Sequence, residues 1–292
     1  MWWCESNKII IMKKLFCLFL CTSLVLSLCA QQLNVMTFNI RFNTEADKEN
    51  AWPYRKDKVA GQILFHDVHL LGVQEAFHGQ MMDLQERLPR FKYVGVARDD
   101  GKTAGEYSAI FYDTTRLKVI QTETFWLSET PTIPGSKSWD AAFTRIVTWA
   151  KFRDLKTKKK FFVFNTHFDH IGKKARAESA KIILQKIKEV AGKTPVIITG
   201  DFNTPPSDEP YQLLTDTNDA DRLTDAKSVS ATGHYGPTGT FNGFKEKEIN
   251  NDPIDYIFIK NKVKVLKHAT LSQTWEGRFS SDHFPVFASV SL

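Results

Sequence analysis

In this sequence, residues able to bind a cation or move a proton recur where short apolar runs stop. Leu33–Phe38 ends at Asn39, with Arg41 two places on, and His69–Gln74 ends at Glu75. Phe161–Thr166 ends at His167, followed by Asp169 and His170, and Pro195–Gly200 ends at Asp201, with Asn203 beyond it. Asp255 opens another apolar run, and Ser281-Asp282-His283 precedes the last. Each alone reads as a turn-former, because Asp and Asn side chains bond their own backbone in turns. Their recurrence is harder to explain that way and points to a site gathered from strand ends. Mg²⁺ takes oxygen ligands, keeps several waters and uses one or two carboxylates together with substrate phosphate. Glu75 with Asp282 or Asn39 supplies such a set. Zinc is disfavoured, since it prefers His and Cys and no His-x₃-His spacing occurs. Hydrolysis also needs a base near neutral pH, usually a histidine held by a carboxylate, and His283 with Asp255 are the candidates.

The elements that must position these residues alternate between strands and a few helices. Strands are expected at Leu33–Ile40, His69–Gln74, Tyr93–Ala97, Tyr107–Tyr112, Leu117–Leu127, Thr144–Arg153 and Lys160–Phe168. Pro195–Thr199, wholly apolar, reads as a strand buried on both faces. Ile254–Ile259, Val263–Ala269 and Phe284–Val290 complete the strands, and helices are expected at Arg55–His66, Gly79–Leu88 and Arg176–Val190. Many strands with few helices imply an α/β (α+β) fold in which two sheets pack together and are flanked by helices. Short polar turns between consecutive strands make antiparallel pairs and argue against a doubly wound parallel sheet.

Composition narrows the setting. Lys13 and Lys14, an apolar run from Leu15 to Leu28 and the small Ala30 follow the order of a secretory signal, with Met12 as an alternative start. The run is shorter than the roughly 20 residues a spanning helix needs. Residues 1–30 are therefore expected to be a signal peptide, with export to the periplasm or outside; lipidation at Cys29 is the lesser alternative, because Leu28 is bulky. All four cysteines (Cys4, Cys17, Cys21, Cys29) lie in this leader, so residues 31–292 have no disulfide, thiolate metal site or cysteine nucleophile. No linker or repeat divides residues 31–292, which read as one catalytic domain and a monomer. The chain carries 39 basic and 33 acidic residues; without Lys8, Lys13, Lys14 and Glu5 these become 36 and 32. That mild excess favours an anionic substrate but is too dispersed for a nucleic-acid track. The Lys156–Lys160 cluster reads as a solvated turn between strands.

The strings Thr37-Phe38-Asn39-Ile40-Arg41, Gln74-Glu75, Asn165-Thr166-His167, Gly200-Asp201-Phe202-Asn203, Ile254-Asp255-Tyr256 and Ser281-Asp282-His283 occur in the order of the endonuclease/exonuclease/phosphatase superfamily. The sequence resembles that superfamily across residues 33–290; Gly-Asp-Phe-Asn followed by Ser-Asp-His is specific as a pair, whereas Gln-Glu alone is not. The resemblance implies a four-layered sandwich of two mixed, mainly antiparallel β-sheets flanked by helices, with the site at one edge of the paired sheets. It implies Glu75 as the principal Mg²⁺ ligand, with Asn39 and Asp282 beside it, and Mn²⁺ or Ca²⁺ as substitutes. It implies His283, oriented by Asp255, as the base, Asp201 and Asn203 as the pair that positions nucleophile and phosphate, and His167 as an aid to the leaving oxygen. Arg41, Arg145 and His170 would contact the phosphate, a role suited to a guanidinium fork.

Several residues have two readings. Glu106 would pair with His167 or simply enter a strand; Trp52, Arg55, Trp126, Trp139 and Phe241 would line the pocket or fill the core. The glycine-rich segment 232–240 would wall the site, and it lacks the Gly-Lys-Ser/Thr of a P-loop. The activities left open are a phosphodiesterase or nuclease acting on DNA or RNA, a phosphomonoesterase or phospholipid or inositol-phosphate headgroup hydrolase, and an inactive binding protein on the same fold. The complete set of polar strand-end residues argues against the last. The absence of a basic stripe or apolar hairpin favours a small substrate.

Overall fold

The computed structural model describes residues 32–245 and 252–292. The expected signal peptide, the cleavage near Ala30 and all the cysteines lie outside the described residues. In chain order the main elements are β1 (Gln32–Asn39), α1 (Lys56–Phe65), β2 (Leu70–Ala76), α2 (His78–Arg87), β3 (Phe91–Val94), β4 (Tyr107–Asp113) and β5 (Leu117–Trp126). They continue with β6 (Ile146–Asp154), β7 (Lys160–His167), α3 (Lys173–Ala191), β8 (Val196–Asp201), α4 (Glu209–Thr215) and β9 (Thr224–Asp225). Last come β10 (Asp255–Lys260), β11 (Lys264–Thr270), the hairpin β12 (Thr274–Trp275) and β13 (Arg278–Phe279), and β14 (Val286–Ser291). The strands form two six-stranded sheets, ordered β11-β14-β1-β2-β4-β3 and β5-β6-β7-β8-β10-β9. β1 and β2 run parallel, as do β7 and β8, whereas β2–β4, β3–β4, β5–β6, β6–β7, β8–β10 and β11–β14 are antiparallel. The sheets are therefore mixed and mainly antiparallel, as expected.

Three apolar clusters define the layers. Leu33, Val35, Leu70 and Val286 of the first sheet meet Phe152, Val163, Ile197 and Ile257 of the second between the sheets. On the outer face of the first sheet, Phe38, Leu71 and Phe111 pack with Val59, Ile63, Met81 and Leu84 of α1 and α2. On the outer face of the second, Trp149, Phe164 and Phe258 pack with Ala180, Ile183 and Ile187 of α3 and Leu214 of α4. Helix, sheet, sheet and helix make the four layers.

At one end of the inter-sheet core the packing turns polar. Asn165 of β7 is fully buried, and its Nδ2 donates to the carbonyls of Val73 and Ala109 across the interface, both at 2.9 Å. Its Oδ1 accepts from Gln74 Nε2 at 2.7 Å and from Thr199 Oγ1 at 2.9 Å. Gly72 makes this approach possible, since a Cβ there would lie 2.2 Å from Thr199 Oγ1 and 2.4 Å from Asn165 Oδ1. The strand segments that lead into Glu75, His167 and Asp201 are thus tied to one another just below the site.

The expected elements form, with small shifts. The strand expected at Tyr93–Ala97 lies at Phe91–Val94 instead, because Gly95 takes a φ of 121° and turns the chain into the loop before β4. α4 and the two-residue strands β9, β12 and β13 were not anticipated. The Lys156–Lys160 cluster does sit at the β6–β7 turn. No helix among the described residues is long and apolar enough to cross a membrane.

Candidate active site

Three neighbouring strands of the second sheet place His167, Asp201 and Asp255 on one rung. In the register, Asp201 of β8 pairs with His167 of β7 on one side and with Asp255 of β10 on the other. The first sheet contributes Asn39 at the end of β1 and Glu75 near the end of β2. Glu75 sits where the β2–β4 register slips between Val73 and Ala76, and its φ is 65°. A bulge of this kind re-aims a side chain, and here it turns Glu75 into the cleft. Arg41 (φ 58°) and Asn203 (φ 47°) take the same left-handed backbone immediately beyond their strands.

Glu75, Asp201 and His283 each bring one donor atom into a cluster whose members lie within 4.8 Å of one another. Asn39 Nδ2 donates to Glu75 Oε1 and to Asp201 Oδ2, both at 2.9 Å, while its Oδ1 accepts from the backbone N–H of Arg41 at 3.0 Å. That N–H requires an acceptor, which fixes the amide orientation. Asn39 therefore spaces the two carboxylates in this arrangement rather than presenting an oxygen beside them. Asp282 lines the same cleft, with its Oδ2 3.8 Å from Arg41 Nε. Arg41 forks onto Asp47 at 3.0 and 3.2 Å and reaches Glu75 at 4.0 Å, so its guanidinium balances the acidic cluster.

His283 Nδ1 is bonded to Asp255 Oδ2 at 2.9 Å, and the same oxygen accepts from Thr240 Oγ1 at 2.6 Å. The imidazole is thereby held with Nε2 facing the cleft, 3.5 Å from Asn39 Nδ2 and 3.8 Å from Asp201 Oδ2. Burial pulls the His283 pKa down, but Asp255, Asp201 and Asp282 more than reverse this and raise it well above the ordinary value. Burial raises Asp201, and the charge of Asp255 adds to the shift; burial likewise raises Asp282, with Glu75 adding to it. These carboxylates crowd negative charge into a dry site that Arg41 and His283 offset only partly. An oxygen-rich, electron-surplus donor set suits a hard divalent cation. Glu75 and Asp201 would hold it, with Asp282 beside them.

His167 is the hinge of the other half. Asn203 Nδ2 donates to His167 Nε2 at 3.0 Å, which places the ring proton on Nδ1, facing Glu106 Oε2 at 3.7 Å. Burial, then the charges of Arg145 and Arg98, lower its pKa well below the usual value, so the ring is neutral. Arg145 Nη2 donates to His170 Nδ1 at 3.1 Å and its Nε lies 3.5 Å from Asp169 Oδ2, while its buried Nη1 has no partner. Burial and Arg145 lower His170 as well. Arg145 Nη1 is therefore a fixed, unspent donor at the cleft wall.

All the expected residues converge on one cleft of about 670 Å³ except Asn39 and Asp255, which stand directly behind its lining. Phe241 lines the cleft, with its ring 5.0 Å from that of His283. Trp52 instead donates from Nε1 to Asp83 in a buried position, and Trp126 donates to the Arg98 carbonyl at 2.6 Å. Arg55, 1% exposed, donates to the carbonyls of Ile40 and Ser280, pinning the exit of β1 to the segment before His283. Trp139 does not line the cleft, and segment 232–240 reaches the site through Thr240. Sequence reasoning missed Arg98, Phe42, Phe77 and Phe143, which complete the rim. Arg98 sits in the Gly95–Gly105 loop, where nothing local distinguishes it from a solvated charge.

A buried carboxylate cluster, a carboxylate-held imidazole and a fixed guanidinium at the edge of paired sheets define a hydrolase of phosphate esters. The endonuclease/exonuclease/phosphatase family pattern matches residues 36–283, and the chain belongs to that family, whose members hydrolyse phosphoester bonds. A family member from Bacteroides vulgatus is 40% identical, superposes with a TM-score of 0.85 and is matched over 89% of this chain and 99% of its own. A mannosyl-6-phosphatase from Bacteroides thetaiotaomicron is 37% identical, with a TM-score of 0.84 and coverage of 89% and 100%. Protein L388 of Acanthamoeba polyphaga mimivirus is 28% identical over 267 residues, 81% of this chain and 97% of its length.

Proposed function

We propose that this protein is an exported, Mg²⁺-dependent phosphomonoesterase acting on a small phosphorylated substrate of the sugar-phosphate class. The observation that carries the reading is the cleft itself. Its volume of about 670 Å³ falls in the range typical of small-molecule sites, ~300–1,000 Å³. Phe42, Phe77, Phe143 and Phe241 contribute four rings to its lining, among which Arg41, Arg98 and Arg145 are gathered in one cleft and not drawn out into a long basic track. Long nucleic acid would call for such a track. The 37% identical relative that is a mannosyl-6-phosphatase supports the same class. Export is supported by the charged, apolar, small-residue order of residues 13–30.

In this reading the phosphate enters between the two halves of the site. Arg145 Nη1 and Asn203 fix its non-bridging oxygens, which positions the phosphorus for in-line displacement. Water attacks with His283 Nε2 as proton acceptor, a role open to the ring once a cation held by Glu75 and Asp201 offsets the carboxylate charge that raises its pKa, and Asp255 keeps that ring oriented and stabilises it once protonated. A new P–O bond forms from the water as the bond to the leaving oxygen breaks, and the proton taken up by His283 passes through solvent to that oxygen, which departs as the alcohol. A bound Mg²⁺ supplies neutralisation of the phosphate charge.

The test is a substrate panel on the purified protein: hexose 6-phosphates, inositol phosphates, bis-nitrophenyl phosphate, plasmid DNA, RNA and sphingomyelin, each with Mg²⁺ or with EDTA. Hexose phosphates turned over fastest, only with metal, are the expected result. Faster cleavage of a diester, or no cleavage of any phosphate ester, overturns the reading. N-terminal sequencing of the protein from culture tests cleavage near Ala30.

A further inference from the structure

We propose that Arg98, Glu106 and Phe143 form the subsite for the departing group and that it selects a polyhydroxylated one, the sugar end of a sugar phosphate. This rests on the phosphomonoesterase reading and adds which residues read the leaving group.

The register of the second sheet supplies the direction. His283 is held by Asp255 on one side of Asp201, and His167 stands on the other. In-line displacement puts the attacking water and the leaving oxygen on opposite sides of the phosphorus. With the base on the β10 side, the leaving group extends toward β7 and past it. Beyond His167 in that direction comes β6, preceded by Phe143 and Arg145.

The groups found there suit a sugar. Arg98 Nη1 donates to Glu106 Oε2 at 2.7 Å, so a donor fork and an acceptor lie side by side. Arg98 Nε is buried without a hydrogen bond, its nearest carboxylate oxygen being Asp99 Oδ1 at 3.7 Å, although the Arg98–Glu106 pair lines the cleft. Neighbouring hydroxyls each donate and accept, and a guanidinium–carboxylate pair meets both needs at once. Beside it lies the Phe143 ring, 48% exposed, with the Arg98 guanidinium 5.3 Å from its centre and the His170 ring stacked at 5.7 Å. An apolar face next to a polar fork matches a pyranose, which carries C–H groups on its face and hydroxyls at its edge. An aryl or alkyl leaving group would offer no hydroxyl to the Arg98–Glu106 pair in a desolvated wall, a situation that sites exploit for discrimination.

The wall is held in place before any ligand arrives. Trp126 Nε1 donates to the Arg98 carbonyl at 2.6 Å, and Asp169 Oδ2 accepts from the backbone of Ala142 and Phe143 at 3.1 and 3.0 Å. Such preorganisation reduces the entropy lost on binding.

The experiment compares two monoesters that share the phosphate and differ in the leaving group, mannose 6-phosphate and 4-nitrophenyl phosphate, with Mg²⁺. In Phe143→Ala, Arg98→Met and Glu106→Gln the ratio of kcat/KM for the sugar phosphate to that for the aryl phosphate should fall at least about tenfold, chiefly through the sugar's KM. Phe143→Trp should restore the ratio, which a merely structural role would not predict. An unchanged ratio in the three variants overturns the subsite. A second readout is saturation-transfer NMR from the EDTA-treated protein to methyl α-mannoside, which should be seen with the wild type and lost in Phe143→Ala. No transfer to the wild type also overturns the subsite. Absence of hydrolysis of either monoester, with sugar transfer intact, overturns the proposed function and leaves the subsite standing.

Discussion

Replacing Asn165 by alanine removes four hydrogen bonds that cross the sheet interface or flank it, at 2.7–2.9 Å and with no solvent access. A buried hydrogen bond contributes roughly 0.5–1.5 kcal/mol net, and partners left without water cost more. The carbonyls of Val73 and Ala109 each keep a second lone pair, whereas Gln74 Nε2 retains a bond to Thr37 Oγ1 at 3.0 Å. The loss is therefore set near the middle of the summed range, about 4 kcal/mol. For a domain of this size that corresponds to a melting temperature lower by roughly 8–16 °C. Urea unfolding and calorimetry with and without the substitution measure it. Because Asn165 binds residues immediately before Glu75 and two before Asp201, kcat should fall more than KM rises. A destabilisation below about 1 kcal/mol, or an unchanged kcat, would refute the idea that this amide sets the distance between the two halves of the site.

His283→Ala should lower kcat by about 10²-fold or more, and Asp255→Asn by a comparable factor with the fold intact by circular dichroism, since both act on one proton transfer. Mg²⁺ should raise the melting temperature of the wild type, as any ligand of the native state does. It should not do so for Glu75→Gln, which in EDTA should melt above the wild type because one crowded negative charge is gone; the opposite order would sink the cation site. His268 is buried against His234, Nδ1 to Nδ1 at 2.9 Å, with its pKa pulled down to about 3 by burial and then by His234 and Lys227. The unfolded state takes up that proton below about pH 6.5 and the folded state resists it, so stability present above pH 6.5 is lost as pH falls toward 3, by up to about 1.4 kcal/mol per pH unit. His268→Gln should flatten this slope in urea titrations between pH 7 and 5, and an unchanged slope would show that other groups govern it.

Much of the site was legible because its residues interrupt apolar runs. Asp201 follows five buried residues of β8 and His167 six of β7, so their polarity stands out against the pattern. What could not be read is equally specific. Arg98 and Phe143 lie in loops without periodicity, and their proximity depends on Trp126 and Asp169, distant in sequence. Arg55 begins an amphipathic helix, and its burial depends on carbonyls at the end of β1 and at Ser280. Asn165 sits in a strand-end motif, yet its side chain serves the interface beneath the site. Two-residue strands such as β9, β12 and β13 are too short to express a period. The resemblance placed Asp201 with the phosphate; in space it also joins Glu75 and His283 in the cation-capable cluster.

The costs concentrated at this edge explain why the rest of the fold is so heavily braced. Arg41, Glu75 and Asn203 each take a left-handed backbone without being glycine, at roughly 1–2 kcal/mol apiece. Asp201 and Asp255 are buried within reach of each other's charge, and Asp282 is buried within reach of that of Glu75. None of this favours folding. It persists because Asn39 spaces the carboxylates, Arg55 ties the exit of β1 to the segment before His283, and Asn165 locks the sheets below. A strained element held only by flexible neighbours would relax, and the donors would drift from the positions that a phosphate needs. Strain at a site is thus informative when the bracing can be named. Here each strained residue is one step from a bond that crosses between elements: Arg41 from Ile40, whose carbonyl accepts from Arg55, Glu75 from Gln74, which donates to Asn165, and Asn203 from Phe202, whose N–H donates to the carbonyl of Ile254.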